Sequence, residues 1–450
     1  MNPLKISVTG VRGIVGETFT PHLVVQFSQA FATYIGSGSV AVCRDTRPSG
    51  KMVCSAVLSG LLASGLKAID LGVCPIPTME YFIYHTDTAG GIAVSAGHNP
   101  LNWNALKFIR SDGIYLNERE GEELLDIYHS GQFLMAPWNR IHKVHTNTNS
   151  AELHLNGISS SVDVPKIRNA RLKVAVDVSG GACGAMVERM LNTFGCDAIL
   201  LNAEPGKKVP YYPEPTRDNM SLLETVVSAS EADVGFMLDT GGERLGIVTD
   251  EGEAMPEDFT LALCAFIALR RQPGTVVTNI STTHALEAVA RRLGATVHRT
   301  PIGQSYVSEA AKKMGAIIAG EGSGGVVVPT VQYAQDSLAA IALILDFLAG
   351  ERKPLSAIHR TLPRLIMKKM NIEMDFTTLF TTLERARSRA ESEIRGAELN
   401  HIDGIKIEWK DAWLHIRASN TESLIRIIAE GKDEDRVNEL LTLGESLLRY

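Results

Sequence analysis

The sequence predicts an α/β protein with three successive α/β units and a smaller C-terminal α+β unit. Three observations support this fold class. The chain has 450 residues, which exceeds a single hydrophobic core at about 100–200 residues per domain. Strand-like apolar runs alternate with helix-like runs over most of the chain, as is typical of layered α/β domains. From Lys368 onward, short strands instead follow one another beside helices.

A polar passage separates the first two units. We place them at residues 1–150 and 151–252, because residues 138–161 are polar and lack apolar periodicity. Their predicted strands are 40–43, 68–71, 91–94, 171–178, 198–201 and 234–238. Their predicted helices are 21–35, 52–64, 118–128 and 186–194.

The last two units differ in rhythm. In the third unit, at 253–365, predicted strands and helices continue to alternate. In the fourth, at 366–450, the predicted strands follow one another with few helices between them. Their predicted strands are 275–279, 296–299, 316–319, 404–409, 412–417 and 425–429. Their predicted helices are 257–271, 283–293, 306–314, 337–348, 376–394 and 433–449. The amino-acid sequence shows no internal repeat.

Composition and charge exclude several classes of protein. A net charge of −7 argues against nucleic acid or an anionic membrane as partner, so an anionic ligand requires local basic clusters. The 6 cysteines are scattered without a CxxC pair, which favours reduced thiols. The N-terminus lacks the pattern of a signal peptide, and the apolar stretch 337–350 is too short to span a bilayer. We therefore expect a cytoplasmic protein.

The segment GIAVSAGHNPLNWNALKFIR, residues 91–110, is the first candidate site. An apolar strand delivers SAGHNP (95–100) to an irregular loop, and a mixed run leads on to Lys107. Small residues, a His and an Asn at a strand end suit a ligand-binding loop. An ordinary Gly-x-Asn-Pro turn is the alternative.

Further loops carry glycine and charge. TGVRGIVG (9–16) and CRDTRPSG (43–50) offer guanidinium groups to phosphate oxygens, or are surface turns with solvated Arg. LDTGGER (238–244) carries two carboxylates that could hold a hard cation or simply form a turn. GEGSGG (320–325) offers a carboxylate and a hydroxyl suited to sugar hydroxyls, or is a flexible loop. RASNTES (417–423), followed by Arg426, has the groups that a phosphate needs.

Taken together and in this order, the loops resemble those of the phosphohexomutase superfamily, which comprises phosphoglucomutases, phosphomannomutases and phosphoglucosamine mutases. The resemblance covers the whole chain and includes PEPTRDN (213–219), NISTT (279–283) and RTPIG (299–303). WNALK (103–107), and VVVP after GEGSGG, favour the phosphoglucosamine mutase branch.

This resemblance implies three topologically similar α/β domains and a smaller α+β domain around a central cleft. It also implies a phosphoserine enzyme, assisted by Mg²⁺ on an Asp-rich loop, that converts a hexose 6-phosphate into the 1-phosphate through a bisphosphate. Such transfer depends mainly on positioning and charge neutralisation. The implied ligand is a glucosamine, glucose or mannose phosphate, and the protein is expected to be a monomer or dimer.

Two positions depart from the family pattern. Gly97 stands where the family has its nucleophilic Ser, and loss of a nucleophile can cost on the order of a millionfold. Ser95 lies two residues away, roughly 6–7 Å in an extended chain, so it could replace that Ser only if the loop were rebuilt. In the metal loop, Asp239, Gly241 and Glu243 stand for three Asp, which should weaken Mg²⁺ binding.

The other positions of the family site are retained. The resemblance implies catalytic or positioning parts for Arg12, Arg44, Arg47, His98 and Lys107, with Lys107 a candidate general acid or base. It implies sugar binding by Glu321, Ser323 and Arg299, and phosphate binding by Arg417, Ser419, Asn420, Thr421 and Arg426. Two hypotheses follow. One is a divergent mutase with another phosphoryl acceptor, Ser95 or His98; the other is a non-catalytic phosphosugar-binding protein with a regulatory or scaffold role.

Overall fold

The computed structural model describes residues 4–7, 10–97, 99–351, 353–419 and 423–449. Its first strands are β1 Lys5–Ser7, β2 Gly10–Ile14, β3 Ser39–Arg44, β4 Lys67–Val73, β5 Gly90–Val94, β6 Trp103–Arg110 and β7 His145–Thr146. They form one sheet in the order β1-β2-β6-β5-β3-β4-β7. The helices of this part are α1 Pro21–Ile35, α2 Gly50–Ala63, α3 Ile76–Tyr84 and α4 Glu118–Ser130.

The second sheet has the order β11-β10-β8-β9, where the strands are β8 Lys173–Asp177, β9 Asp197–Leu201, β10 Val234–Leu238 and β11 Leu245–Thr249. Its helices are α5 Ser150–Ser160, α6 Val164–Ala170, α7 Gly184–Phe194 and α8 Ser221–Ser230. The third sheet has the order β13-β12-β14-β15, where the strands are β12 Thr275–Asn279, β13 Thr296–Thr300, β14 Ile318–Gly320 and β15 Val326–Val327. Its helices are α9 Asp258–Arg271, α10 Ala285–Arg292, α11 Gln304–Met314, α12 Ser337–Leu348 and α13 Leu355–His359.

The first three sheets share one topology. Each contains a run of four strands, β4-β3-β5-β6, β9-β8-β10-β11 and β13-β12-β14-β15. In every run the first three strands are parallel and the last is antiparallel to its neighbour. The predicted similarity of the three α/β units is therefore confirmed, although their sequences show no repeat.

The fourth sheet is antiparallel throughout, as expected of the α+β unit. Its strands are β16 Ile366–Glu373, β17 Glu398–Asn400, β18 Ile405–Glu408, β19 Trp413–Ala418 and β20 Leu424–Gly431, in the order β16-β20-β19-β18-β17. Helices α14 Phe376–Glu393 and α15 Glu434–Leu448 supply Ala386, Ala390, Val437 and Leu440 to its core. The predicted fold class is confirmed, whereas the predicted unit boundaries remain predictions.

Local signals explain where the helices begin and end. Asn117 and Glu120 form a capping box at the start of α4, and Gly131 ends that helix with a φ of 65°. Asp336 caps α12 by accepting the amides of Leu338 and Ala339. Every residue of α12 is buried, as expected of a helix that is apolar on all sides. No helix in the described parts of the chain is both long and apolar enough to cross a membrane.

Two interpretations of local structure were wrong, and several elements were not predicted. The GVRG segment is the paired strand β2 rather than a turn, because its backbone bonds to β1 and β6 on both sides. The polar passage contains helix α5, whose buried Leu155 packs into the core shared by the second and third units and whose buried His154 is hydrogen-bonded to Thr78 and Asp336. Strand β16 was not predicted. It pairs on one side only, with β20, and several of its residues face solvent, so its sequence lacks the apolar run of a buried strand.

Candidate active site

Two loops from different sheets meet at the centre of the site. SAGHNP follows β5, and the segment from Asp239 to Arg244 joins β10 to β11. The Thr240 hydroxyl donates to the Gly97 carbonyl at 2.8 Å, and the Ile76 amide donates to the Gly241 carbonyl at 3.0 Å. The two positions that depart from the family pattern, 97 and 241, therefore lie in contacting loops.

Arg47 fastens the first loop. Its side chain is 3% exposed, and Nε donates to Asp45 Oδ2 at 3.1 Å. The other two nitrogens donate to four loop carbonyls, those of Gly97, Asn99, Pro100 and Trp103, at 2.6, 2.6, 2.6 and 3.2 Å. A planar guanidinium is suited to such convergent contacts. All of these contacts position the loop, so a direct catalytic part for Arg47 remains only a prediction.

Gly97 and Ser95 differ in what surrounds them. Gly97 has a φ of +56°, and a Cβ added there would meet no atom within 4 Å. Ser95 is 1% exposed; its hydroxyl donates to Asp45 Oδ2 at 2.8 Å and accepts the Gly97 amide at 3.3 Å. Position 97 thus faces open space, whereas the Ser95 hydroxyl is held inside the loop. His98 lies outside the described residues.

A cavity of about 130 Å³ opens beside this loop. Arg12, Ser95, Asn99 and Lys107 are among its lining residues. Arg12 donates to Asn99 Oδ1 at 3.3 Å, and with Lys107 it places two cationic side chains in the cavity wall. Such a cavity suits an anionic ligand. Arg44, at the end of β3, is not among the described residues that line it.

The carboxylates of the second loop are buried and already bonded. Glu243 forms an ion pair with Lys107 through Oε2 and accepts the Tyr115 hydroxyl on Oε1 at 2.7 Å. Asp239 Oδ1 accepts the amides of Glu243 and Arg244 at 2.8 and 3.0 Å. Burial alone would raise the pKa of Glu243, but Lys107 and Tyr115 lower it below its usual value. Burial and the charge of Glu243 raise the pKa of Asp239.

Glu80 is a neighbour that sequence reasoning missed. It lies on α3, is fully buried, and neither carboxyl oxygen has a hydrogen-bond partner within the described residues. Burial, reinforced by the charge of Glu243, raises its pKa well above the usual value. A lone Glu in the apolar stretch IPTMEYFIY was the available signal. Tyr115 was missed as well, because nothing in the sequence distinguishes it from a core residue.

The glycine-rich loop of the third sheet contacts the second loop. The Leu245 amide donates to the Gly324 carbonyl at 2.9 Å. Glu321 accepts the side-chain amides of Asn279 and Gln335 at 2.8 and 2.9 Å, and Ser323 lies two residues further along. Arg299 donates to the Asn279 and Thr282 carbonyls and to Glu287, so its contacts support the NISTT segment.

The fourth sheet contacts the third unit beside the predicted phosphate-binding loop. Arg417 donates to Asp403, whose other oxygen accepts the Ile302 amide at 2.9 Å. Ser281 and His415 are hydrogen-bonded at 2.6 Å. Arg417 and Arg426 are paired across β19 and β20, and the Ser419 amide donates to the Leu424 carbonyl. Asn420 and Thr421 lie outside the described residues. Contacts thus run from the first loop through the second to the third, and the fourth unit joins the third through Asp403 and His415.

Comparison with known proteins assigns the family. Four phosphoglucomutase/phosphomannomutase domain profiles match in chain order: alpha/beta/alpha domain I at residues 4–135, domain II at 152–252, domain III at 256–365 and the C-terminal domain at 381–442. The chain belongs to the phosphoglucomutase/phosphomannomutase family. The resemblance inferred from the motifs is thereby confirmed.

Relatives within this family span nearly the whole chain. A phosphoglucomutase/phosphomannomutase of Thermococcus kodakarensis is 33% identical over 98% of this chain and 97% of its own length. A probable phosphoglucosamine mutase of Methanopyrus kandleri is 31% identical over 96% and 95%. The solved structure of a phosphoglucomutase/phosphomannomutase family protein from Burkholderia thailandensis superimposes with a TM-score of 0.87 at 25% identity, covering 98% and 97%.

Proposed function

We propose that this chain binds a hexose phosphate in the cavity beside SAGHNP without carrying a phosphoryl group on residue 97. The observation that carries the proposal is the combination of Gly97, which has no hydroxyl, with a cavity whose wall holds the cationic side chains of Arg12 and Lys107. The protein is then a phosphosugar-binding member of its family with a regulatory or scaffold role, in place of a conventional mutase.

Related proteins support the class of ligand. Several relatives are named phosphoglucosamine mutases, and a structure of similar fold is an Aspergillus fumigatus N-acetylphosphoglucosamine mutase in complex with GlcNAc-6P and magnesium. A variant of that enzyme has been solved with glucose 1,6-bisphosphate. We therefore propose a glucosamine, glucose or mannose phosphate as ligand, bound in the cytoplasm by a monomer or dimer.

Each loop has a proposed part in this binding. Arg12 and Lys107 attract the phosphate near Gly97, while Arg417, Ser419 and Arg426 hold a distal phosphate. Glu321 and Ser323 bind sugar hydroxyls, which accept and donate hydrogen bonds. Arg47 and Arg299 act indirectly, because their guanidinium groups hold the loops in place.

A divergent mutase is the second candidate, with Ser95 as phosphoryl acceptor. Its support is the hydrogen bond from Ser95 to Asp45 at 2.8 Å, which places a carboxylate beside a hydroxyl in the cavity wall. The same bond disfavours it, because Ser95 is buried and would have to leave Asp45 and the Gly97 amide to reach a substrate. Misplacement of a reacting group by about 1 Å can cost a hundredfold.

Turnover separates the two candidates. The chain is incubated with glucosamine 6-phosphate, Mg²⁺ and trace glucosamine bisphosphate, and 1-phosphate formation is followed beside Gly97→Ser and Gly97→Ser/Gly241→Asp. We expect calorimetric binding of the hexose phosphate but no turnover by the unmodified chain, and turnover in the double variant. Gly97→Ala is the matched control, because it carries the same backbone strain without a hydroxyl.

Two outcomes would contradict this proposal. Turnover by the unmodified chain near about 10 s⁻¹, an ordinary enzymatic rate, would establish the mutase. Absence of binding by any hexose phosphate would refute both candidates.

A further inference from the structure

A side chain at position 241 would extend between two carboxylates. A Cβ added at Gly241 would lie 3.4 Å from Asp239 Oδ2, 3.5 Å from Glu243 Oε2 and 3.2 Å from Ile76 Cδ1. An acidic side chain at 241 would therefore bring a third carboxylate to this pair. Glycine leaves the pair incomplete.

The oxygens that remain do not fit a magnesium ion. Mg²⁺ requires near-octahedral oxygen coordination and tolerates little distortion. Both oxygens of Glu243 are bonded, to Lys107 and Tyr115, and Asp239 Oδ1 accepts two amides. Within the described parts of the chain, no three His, Cys, Asp or Glu side chains are grouped so as to hold a metal ion.

A counter-charge is nevertheless required here. The charge of Arg244 acts on both carboxylates, and Lys107 supplies the cation that pairs directly with Glu243. Asp239 and Glu243 are only 4% and 6% exposed, and buried carboxylates need a counter-charge. Lys107 lies on β6, held between Gly10 of β2 and Ala93 of β5. Its ammonium is ion-paired to Glu243 and lies 5.4 Å from the Tyr115 ring centre. Lys107 also lines the cavity beside Gly97.

We propose that the Lys107 ammonium replaces the family's divalent cation in this chain. It compensates the Glu243 carboxylate directly, beside the charge of Arg244, and it places an ammonium group in the wall of the anion-binding cavity. Binding of a phosphosugar is then independent of divalent metal. This last consequence rests on the proposed function, whereas the replacement of the metal by Lys107 does not.

Metal binding is tested first, without any sugar. Mn²⁺ is titrated into the full chain and the free ion is followed by electron paramagnetic resonance. We expect the unmodified chain to bind Mn²⁺ no more tightly than its Asp239→Asn variant. Binding of one Mn²⁺ that Asp239→Asn abolishes would overturn the proposal, and this measurement requires no change at Lys107.

Removal of the ammonium is tested next. Lys107→Met should lower the melting temperature, and about 10 mM Mg²⁺ should recover about 2 °C or more of the loss, because the carboxylates then lack a counter-ion. The unmodified chain should not respond to Mg²⁺. Lys166→Met is the control for loss of an ion pair elsewhere, because it breaks the pair with buried Asp346 at 2.7 Å while Arg271 still neutralises that carboxylate, so no response to Mg²⁺ is expected. An equal response to Mg²⁺ in all three proteins, or none in Lys107→Met, would overturn the proposal.

The third measurement involves the ligand. Glucose 1,6-bisphosphate should bind the unmodified chain with the same affinity in EDTA and in Mg²⁺, within about twofold, which corresponds to about 0.4 kcal/mol. Loss of tenfold or more in EDTA, about 1.4 kcal/mol, would overturn the metal-independence. If glucose 1,6-bisphosphate and the hexose phosphates do not bind under either condition, the proposed function fails, while the outcome of the two metal measurements still decides the part of Lys107.

Discussion

Replacing Arg47 by methionine removes the group that holds the SAGHNP loop. The guanidinium makes contacts to Asp45 and to four loop carbonyls, all in a site that is almost fully buried. Removing one partner of a buried ion pair typically costs about 3–5 kcal/mol. The orphaned carbonyls are close to the cavity, where water can reach some of them, so we expect the lower value, about 3 kcal/mol.

This cost should appear as local opening of the loop. Since each 1.4 kcal/mol is a factor of ten, about 3 kcal/mol corresponds to a roughly hundredfold increase in the open population. Hydrogen exchange at the amides of Asn99 and Trp103, which are bonded to the Ala96 and Pro100 carbonyls, reports that population directly. Arg47→Lys keeps the positive charge but loses the planar guanidinium, so hydrogen exchange at these amides should be accelerated to an intermediate extent.

Arg44→Met is the matched control for this prediction. Arg44 ends β3, and none of its side-chain nitrogens donates a hydrogen bond within the described residues. Exchange in the loop should therefore stay within about twofold of the unmodified chain, because Arg44 is only partly buried and makes none of the contacts that hold the loop. Equal exchange rates in Arg47→Met and Arg44→Met would refute the view that Arg47 positions the loop.

Two further predictions concern the pH dependence of stability. Burial lowers the pKa of Lys406 from 10.5 to about 8. Between these pH values the unfolded chain therefore binds more protons than the folded chain, so the free energy of unfolding should rise with pH by up to roughly 3 kcal/mol. The melting temperature should rise accordingly, relative to that of Lys406→Met. Parallel melting curves across that range would contradict it. Burial raises the pKa of Asp258 from 3.8 to about 7, so the folded chain binds more protons in that window and stability should fall as the pH rises through it. Asp258→Asn should remove this fall; a variant that keeps the full slope would disprove the assignment.

Much of the fold followed from local pattern. Strands 275–279 and 234–238 and helix 337–348 begin and end where periodicity and flanking polar residues place them. Edge strands such as β16, and helix α5 within a polar passage, were missed because their residues are only partly buried and carry no clean apolar period.

The candidate site was predicted in outline and differs in detail. Motif order identified the family and the loops that meet, and the residue types alone showed that position 97 has no hydroxyl. The sequence could not show that the guanidinium groups of Arg47 and Arg299 donate hydrogen bonds to loop carbonyls. An Arg that positions a loop and an Arg that binds a ligand look alike in a motif.

What the sequence determined by itself is the set of chemical groups available: a glycine at 97, a glycine at 241, and the retained arginines and lysine. Only the tertiary structure decided which groups neutralise one another. Lys107 and Glu243 are 136 positions apart, and Glu80 approaches them from a third element. Their pairing depends on how two sheets pack, because Coulomb interactions in a buried site are fixed by distance and desolvation, neither of which a linear pattern contains.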